Sequence, residues 1–193
     1  MARRDPAQGG LFDPPTDLPD GMVYRPGFVS PAEETALLAW LATLAFAPFQ
    51  FQGYEGRRQV VSFGWAYDFS RSHLLEAAPI PEELAPLRAR AAALAGCAAE
   101  ALAQVLINKY EPGAPIGWHR DRPVFDRVVG VSLGAACAFR LRRRVGVGFE
   151  RKTLTLEPRS AYLLAGEARS GWEHSIPPAP ALRYSITFRN FRR

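Results

Sequence analysis

RYSITFR, residues 183 to 189, alternates polar and apolar side chains, the pattern of a β-strand with one polar and one apolar face. Successive side chains of a strand point to opposite faces, so Arg183 and Arg189 face the same side. Guanidinium groups pair bidentately with carboxylates, and one of these two arginines would suit a dicarboxylate ligand. The stretch therefore predicts a strand that carries part of a binding site.

Short apolar segments separated by turn residues precede this strand, at 128–133, 138–141, 153–156 and 161–165. Their spacing is typical of a jelly roll or a barrel. Earlier in the chain, a capping box that begins at Ser30 predicts a helix at about 31–45, and a second helix is predicted at about 81–96. Strands are predicted within 49–69 and at 105–107. The expected fold is α+β, with helices early and a β-sandwich late.

The 193 residues, 48% of them hydrophobic, suit one compact domain. Glycine and proline without a periodic pattern predict a flexible N-terminal tail over residues 1–21, followed by one domain at 22–193. Cys97 and Cys137 cannot form a disulfide scaffold. Because no leader-like or bilayer-length apolar stretch is evident, we expect a cytoplasmic protein without a membrane partner. The chain also has no coiled-coil seam, which favours a monomer.

The chain is basic, with a formal net charge of +5 and 24 basic residues, of which only Lys109 and Lys152 are lysine. Arginine pairs bidentately with phosphate and carboxylate, so the excess is consistent with a polyanionic partner. It is equally consistent with a genome-wide preference for arginine. Both interpretations stay open at this point.

Two of the three histidines have neighbours that could bind a metal. His119 and Asp121 lie two residues apart, so an extended segment points both side chains to the same face. Together with His174 they would make a set of two histidines and one carboxylate, which leaves coordination positions open on non-haem iron(II). Pairs of this kind also arise by chance, in which case His174 is an ordinary core or surface histidine.

Six motifs occur in a specific order and spacing: residues 106–110 (LINKY), 112–113 (PG), 119–121 (HRD), 131–134 (VSLG), 172–174 (WEH) and 183–189 (RYSITFR). In this order the sequence resembles the AlkB-type iron(II)/2-oxoglutarate-dependent dioxygenase family over most of residues 22–191. The resemblance implies a double-stranded β-helix, or jelly-roll, core flanked by N-terminal helices.

The resemblance also implies roles for individual residues. His119, Asp121 and His174 would bind Fe(II) as the catalytic metal site. Arg183 would pair with the distal carboxylate of 2-oxoglutarate, and the rest of the co-substrate pocket would consist of Asn108, Tyr110, Ser185 and Arg189. With dioxygen, the family converts 2-oxoglutarate to succinate and carbon dioxide while it oxidises a substrate C–H bond. An N-methyl group oxidised in this way is released as formaldehyde.

The substrate that the resemblance implies is a nucleic-acid base flipped into the pocket, in DNA or RNA. Residues 57–59 and 64–69 resemble the substrate lid of the family, so we expect base contacts from Tyr54, Trp65, Tyr67 and Phe69, although aromatic residues on short strands more often pack a core. Arg122 departs from the pattern, because well-known demethylases of the family carry an acidic residue shortly after the His-x-Asp motif. A cation there would repel a positively charged methylated base.

The expected function is therefore oxidative demethylation of alkylated nucleic-acid bases, as in DNA repair. Two alternatives are the same chemistry on a protein or small molecule, and a non-catalytic nucleic-acid-binding module. The basic run 140–144 either follows a phosphate backbone or is a basic edge strand that resists aggregation. In the tail, Gln8, Leu11 and Phe12 resemble the short peptides that bind bacterial sliding clamps, although such pentapeptides are frequent by chance.

Overall fold

The computed structural model describes residues 17–51, 54–68 and 73–192. Three α-helices are present in these ranges, α1 (Pro31–Leu41), α2 (Ala85–Ala95) and α3 (Gly166–Ser170), together with two short 3-10 helices at Glu82–Leu84 and Ala99–Ala101. The strands of the first half are β1 (Met22–Arg25), β2 (Ala47–Phe51), β3 (Tyr54–Phe63), β4 (Trp65–Asp68), β5 (His73–Glu76) and β6 (Gln104–Tyr110). Those of the second half are β7 (Ile116–His119), β8 (Phe125–Gly134), β9 (Cys137–Val145), β10 (Gly148–Leu156), β11 (Ser160–Leu164), β12 (Glu173–Ile176) and β13 (Arg183–Phe191).

Two antiparallel sheets form the body of the protein. The large sheet has seven strands in the order β1-β11-β8-β13-β6-β3-β2, and the small sheet has four in the order β10-β9-β12-β7. A separate hairpin pairs β4 with β5. This arrangement is a jelly roll flanked by helices, so the predicted fold class is confirmed. Strands β1, β2 and β3 from the first half of the chain also pair into the large sheet, which extends it beyond the late strands that the sequence predicts.

Each face of the large sheet covers a different hydrophobic cluster. On the outer face, apolar residues of β6, β8 and β13 such as Ile107, Val131 and Ile186 pack with Leu41 and Leu87 of the helices. The other cluster lies between the sheets. There Tyr162 packs so closely on Gly130 that an added Cβ would lie 2.3 Å from the tyrosine ring, so this position requires glycine. The inner face is thus the place where polar residues of the two sheets can meet.

Helix α1 begins at the capping box that the sequence predicts. The Ser30 hydroxyl accepts a hydrogen bond from the Glu33 backbone at 3.2 Å, and the Glu33 carboxylate accepts one from the Ser30 backbone at 2.9 Å. This hydrogen bond from the Ser30 backbone is the main reason that the pKa of Glu33 is lowered to about 2. The helix ends at Leu41 and not at residue 45, because the backbone of Thr43 and Leu44 donates to the carbonyls of Trp40 and Leu41 in tight turns instead of continuing the helical pattern.

One other expectation needs correction. Strand β9 pairs with both β10 and β12, so the basic run 140–144 is not on an edge strand and that interpretation is wrong. The third histidine, His73, is exposed and begins β5. The tail residues Gln8, Leu11 and Phe12, and also Phe69, lie outside the described residues. Within the described ranges, no helix combines the length and apolar character needed to cross a membrane.

Candidate active site

The polar face of β13 lies on the inner side of the large sheet. Arg183, Ser185, Thr187 and Arg189 alternate along this face and are all buried. Antiparallel pairing with β6 places Tyr110 opposite Arg183, Asn108 opposite Ser185 and Gln104 opposite Arg189. The register thus brings the predicted pocket residues Asn108, Tyr110, Arg183, Ser185 and Arg189 onto two neighbouring strands, as the alternation in RYSITFR predicts for the arginines.

Arg183 is a buried cation without a carboxylate partner among the described residues. Its side chain belongs to a residue that is 1% exposed, and its Nε donates to the Ser132 hydroxyl at 3.2 Å. Both terminal nitrogens are buried without a hydrogen-bond acceptor, and the guanidinium lies 5.1 Å from the centre of the Tyr110 ring. A buried charge in this state is costly unless a ligand supplies the missing acceptors. The arrangement fits the carboxylate of a small acid.

The two predicted histidine ligands lie opposite each other on neighbouring strands of the small sheet. His119 of β7 pairs with His174 of β12, and their ring centroids are 4.2 Å apart. Asp121 follows β7, and its Oδ2 lies 3.8 Å from Nε2 of His174. His119 Nδ1 lies 2.9 Å from the Gly117 carbonyl, so in a neutral ring Nδ1 donates and Nε2 keeps its lone pair.

The protonation states of these three side chains suit metal binding. Burial lowers the pKa of His119, and it lowers the pKa of His174 to about 3, with a further contribution from the neighbouring imidazole. Burial opposes ionisation of Asp121, but the guanidinium of Arg189 and the two imidazoles hold the pKa of this carboxyl below its usual value. At neutral pH the site therefore offers two neutral imidazoles and one carboxylate.

Two arginines hold Asp121 and the segment that follows it. Arg189 Nε donates to Asp121 Oδ1 at 2.9 Å, its Nη2 lies 2.8 Å from the same oxygen, and its Nη1 donates to Gln104 at 2.8 Å. Arg169 donates to the backbone carbonyls of Arg122 and, at 3.0 Å, Phe125. Arg189 thus fixes the Asp121 carboxylate, and Arg169 fixes the backbone of the segment that follows it.

The donor set fits a divalent transition metal. Two histidines and one carboxylate are the ligands that non-haem Fe(II) takes with positions left open. In the part of the chain that the structure describes, no group of three or more His, Cys, Asp and Glu side chains is already closed into a metal-ligating geometry. The side chains of His119, Asp121 and His174 are nevertheless adjacent, those of Asp121 and His174 are buried, and all three have the protonation state that metal binding needs, so they could hold the metal.

A cavity of about 1490 Å³ opens beside these residues. His119, Asp121 and His174 line it together with Asn108, Tyr110, Ser185 and Arg189. Arg58 also points to the cavity, and its guanidinium lies 3.7 Å from the centre of the Phe49 ring. Burial lowers the pKa of Arg58, and its Nε is buried with no hydrogen-bond partner among the described residues.

The predicted substrate residues lie in different places. Tyr67 and Arg122 both line the cavity, and the Arg122 guanidinium lies 4.5 Å from the centre of the Tyr67 ring. Trp65 is not among the residues that line the cavity and packs edge-on against Phe191, with 5.8 Å between the ring centres. The backbone of Tyr54 begins β3, whereas its side chain and the whole of Phe69 lie outside the description.

Four residues near the site carry polar contacts that the sequence did not assign: Ser132, Gln104, Arg58 and Arg169. Ser132 lies within the VSLG motif, but its contact with Arg183 is visible only in the structure, and Gln104 is found through the register of β13, which places it opposite Arg189. Arg58, Val60 and Ser62 all line the cavity. Their spacing of two residues places them on one face of a strand, and this alternation could have indicated from the sequence that Arg58 lies at the site. Arg169 lies on the short helix α3, where no sequence pattern indicates that it folds back onto the segment after Asp121.

Comparisons with known proteins point to one family. Residues 21–189 match the family described as the 2OG-Fe(II) oxygenase superfamily. The Arabidopsis thaliana "Alkylated DNA repair protein ALKBH8 homolog" is 30% identical over 86% of this chain and 53% of its own length. The Xenopus tropicalis "tRNA (carboxymethyluridine(34)-5-O)-methyltransferase alkbh8" is 29% identical over 83% of this chain and 26% of its own length. The chain thus spans about half or less of these relatives.

A solved structure, that of OsALKBH1, has the same fold. Its TM-score is 0.70 at 17% identity, over 90% of this chain and 98% of that chain. The match of the family over residues 21–189, together with the jelly roll and the relatives, settles the class. The chain belongs to the 2OG-Fe(II) oxygenase superfamily, a family of oxidoreductases whose chemistry uses Fe(II), 2-oxoglutarate and dioxygen, and it is similar to the AlkB homologues of that family.

Proposed function

We propose that this oxygenase oxidises a C–H bond on a substituent of a nucleic-acid base, with N-demethylation as one case. The observation that carries the proposal is the cavity, which joins the pair of histidines and Asp121 to a wall rich in arginine. Support also comes from the relatives, whose names refer to tRNA and to alkylated DNA. A polyanionic substrate suits an arginine-lined entrance.

In this proposal each residue of the site has a separate role. His119, Asp121 and His174 hold Fe(II), which, when bound, supplies oxidation of a substrate C–H bond coupled to decarboxylation of 2-oxoglutarate. Arg183 neutralises the distal carboxylate of the co-substrate, and Ser132 keeps its guanidinium in place. Arg189 fixes the orientation of the Asp121 carboxylate. The buried inner face keeps water away from the reacting groups.

The charge of the cavity favours neutral or anionic bases over cationic ones. Of the described residues that line it, seven are arginines and two, Asp121 and Glu173, are carboxylates. Arg58 and Arg122 lie against aromatic rings, where a base can stack beside them. The arginines repel a cationic base such as 1-methyladenine, so it should bind less tightly. They attract a base with an acidic or ester substituent, which should bind more tightly.

Succinate release tests the proposal. Purified protein with Fe(II), 2-oxoglutarate and ascorbate is combined with oligonucleotides that contain 1-methyladenine, N6-methyladenine or 5-carboxymethyluridine, and with unmodified controls. We expect succinate to increase most with a neutral or anionic modified base, together with formaldehyde or a base that has gained one oxygen atom. His119→Ala should remove this signal. If no oligonucleotide stimulates turnover, the substrate is a protein or a small molecule and the proposal is wrong.

Arg122→Asp should reverse the charge preference. The substitution places an acidic group beside Tyr67 at the cavity wall, so we expect the ratio of kcat/KM for 1-methyladenine to kcat/KM for N6-methyladenine to rise at least about tenfold. The matched control is Arg25→Asp, an equal charge change on an exposed arginine of β1. An unchanged ratio in Arg122→Asp would show that Arg122 does not select the substrate.

A further inference from the structure

The outer face of the small sheet carries a second group of arginines and aromatic rings. On β9, Phe139 and Leu141 point inward and are buried, so Arg140, Arg142 and Arg144 lie on the opposite, outer face. Cross-strand pairing places Arg151 beside Arg142, and Phe149 beside Arg144. We call this face the arginine–aromatic surface; it consists of Trp118, Arg140, Arg142, Arg144, Phe149 and Arg151.

The members of this surface stack on one another. The Arg142 guanidinium lies 4.4 Å from the centre of the Trp118 ring and 4.6 Å from that of Phe149. Arg144 and Arg151 lie 5.9 and 5.4 Å from the Phe149 ring, and Arg140 lies 5.7 Å from Trp118. Cation–π contacts of this kind hold the guanidinium groups in a fixed layer on the sheet.

Most of the charge on this surface is not neutralised by the protein. Arg142 pairs with Glu173 at 2.6 Å. Arg143 points to the other side of β9 and pairs with Glu150 and Glu167. Within the described ranges, no carboxylate lies at ion-pair distance from Arg140, Arg144 or Arg151. Three cations on one face, spaced along two strands, are complementary to a row of phosphates.

The surface is continuous with the active-site cavity. Trp118 immediately precedes His119 on β7, and alternation places its side chain on the outer face while His119 points inward. Trp118 and Glu173 nevertheless belong to the lining of the cavity, which therefore reaches over the edge strand β7 to the outer face. A chain that leaves the cavity at this edge meets Trp118 first and the arginines of β9 next.

We propose that the arginine–aromatic surface binds the nucleic-acid strand that flanks the target nucleotide. Phosphates lie on Arg140, Arg144 and Arg151, and bases stack beside Trp118 and Phe149. This inference rests on the proposed function, because it assigns a track for the same polymer whose base enters the cavity. Guanidinium groups and aromatic rings side by side are the two elements that bind single strands without sequence preference.

Fluorescence anisotropy with a labelled, unmodified single-stranded RNA, repeated at several salt concentrations, tests the surface. We expect Arg140→Gln and Arg144→Gln each to weaken binding about fivefold at 0.1 M salt and to lower the salt slope by about 0.7, as for one lost phosphate contact. Phe149→Leu should weaken binding at least about fivefold and leave the salt slope unchanged, because it removes stacking and no charge. Arg25→Gln is the charge-matched control, and thermal unfolding reports on the fold of each variant.

The outcomes separate this inference from the proposed function. If modified oligonucleotides stimulate succinate release by the parent protein but the Arg140, Arg144 and Phe149 variants bind RNA as Arg25→Gln does, the surface does not bind the strand and the function stands. A parent protein that binds no single strand, RNA or DNA, overturns the inference directly. If RNA binds through these residues while no oligonucleotide stimulates turnover, the surface is supported and the function fails.

Discussion

Replacing Arg183 with methionine is expected to abolish 2-oxoglutarate-dependent turnover while leaving the protein without ligand at least as stable as the parent chain. Turnover and stability are expected to change in opposite directions because the terminal nitrogens of this guanidinium are buried and have no acceptor in the described part of the chain. Without a ligand this charge is desolvated and unpaired, so an apolar side chain of similar length is tolerated or favoured. In the proposed complex with 2-oxoglutarate the same charge forms a buried ion pair, whose loss is expected to cost about 3 kcal/mol, or more than a hundredfold in affinity.

Calorimetric titration of 2-oxoglutarate and thermal unfolding without ligand measure the two effects separately. Ser132→Ala serves as the comparison, because it removes only the hydroxyl that orients Arg183 and should reduce affinity much less. An Arg183→Met variant that binds 2-oxoglutarate normally would remove Arg183 from the pocket. An Arg183→Met variant whose melting temperature is well below that of the parent protein would mean that the guanidinium stabilises the fold even without a ligand.

Asp121→Ala and His174→Ala are expected to lose turnover equally but to differ in stability. Both remove a proposed metal ligand, so succinate release should fall to background. Asp121→Ala also leaves Arg189 buried without its carboxylate, and breaking a buried pair from one side costs about 3 kcal/mol. In a domain of this size, that loss lowers the melting temperature by about 6–12 °C. His174→Ala removes no such pair and should melt at a higher temperature than Asp121→Ala.

The double variant Asp121→Ala/Arg189→Met makes this expectation specific. Replacing both members of a buried ion pair with apolar side chains is often neutral, so the double variant should recover most of the lost melting temperature and none of the turnover. Thermal unfolding and succinate release are measured on the same preparations. If the double variant is less stable than Asp121→Ala, then Arg189 stabilises the fold through Gln104 and not through Asp121.

The sequence predicted the strand-rich second half and the class of fold because these depend on local patterns, namely alternation, turn residues and the spacing of six motifs. It did not predict strand order. The basic run 140–144 lies on a central strand because β12, which is more than 25 residues away in the sequence, adds to its second side. Helix α1 ends early for a local reason, the turn before Pro48, that helix propensity alone does not register.

For the site, the motifs indicated which residue types to expect, and the pairing of strands determines what each of them touches. Trp65 and Tyr67 are two apart on β4 and look equivalent in the sequence, yet only Tyr67 lines the cavity. Arg183 and Arg189 also look equivalent in the sequence. Arg189 pairs with Asp121, whereas Arg183 has no carboxylate partner within the described part of the chain. The metal, co-substrate and base-contact roles stay predictions until the variants above are measured.

Strand β13 lies between β8 and β6 in the middle of the large sheet, although it follows both along the chain. Until it docks, β1-β11-β8 and β6-β3-β2 are two separate half-sheets whose inner edges are unpaired. Pairing across such long sequence separations is slow, so nascent and refolding chains expose these edges for longer than a helical protein of the same size would. The strand that closes the sheet also carries Arg183 and Arg189. The step that completes the sheet is therefore also the step that assembles the proposed co-substrate pocket.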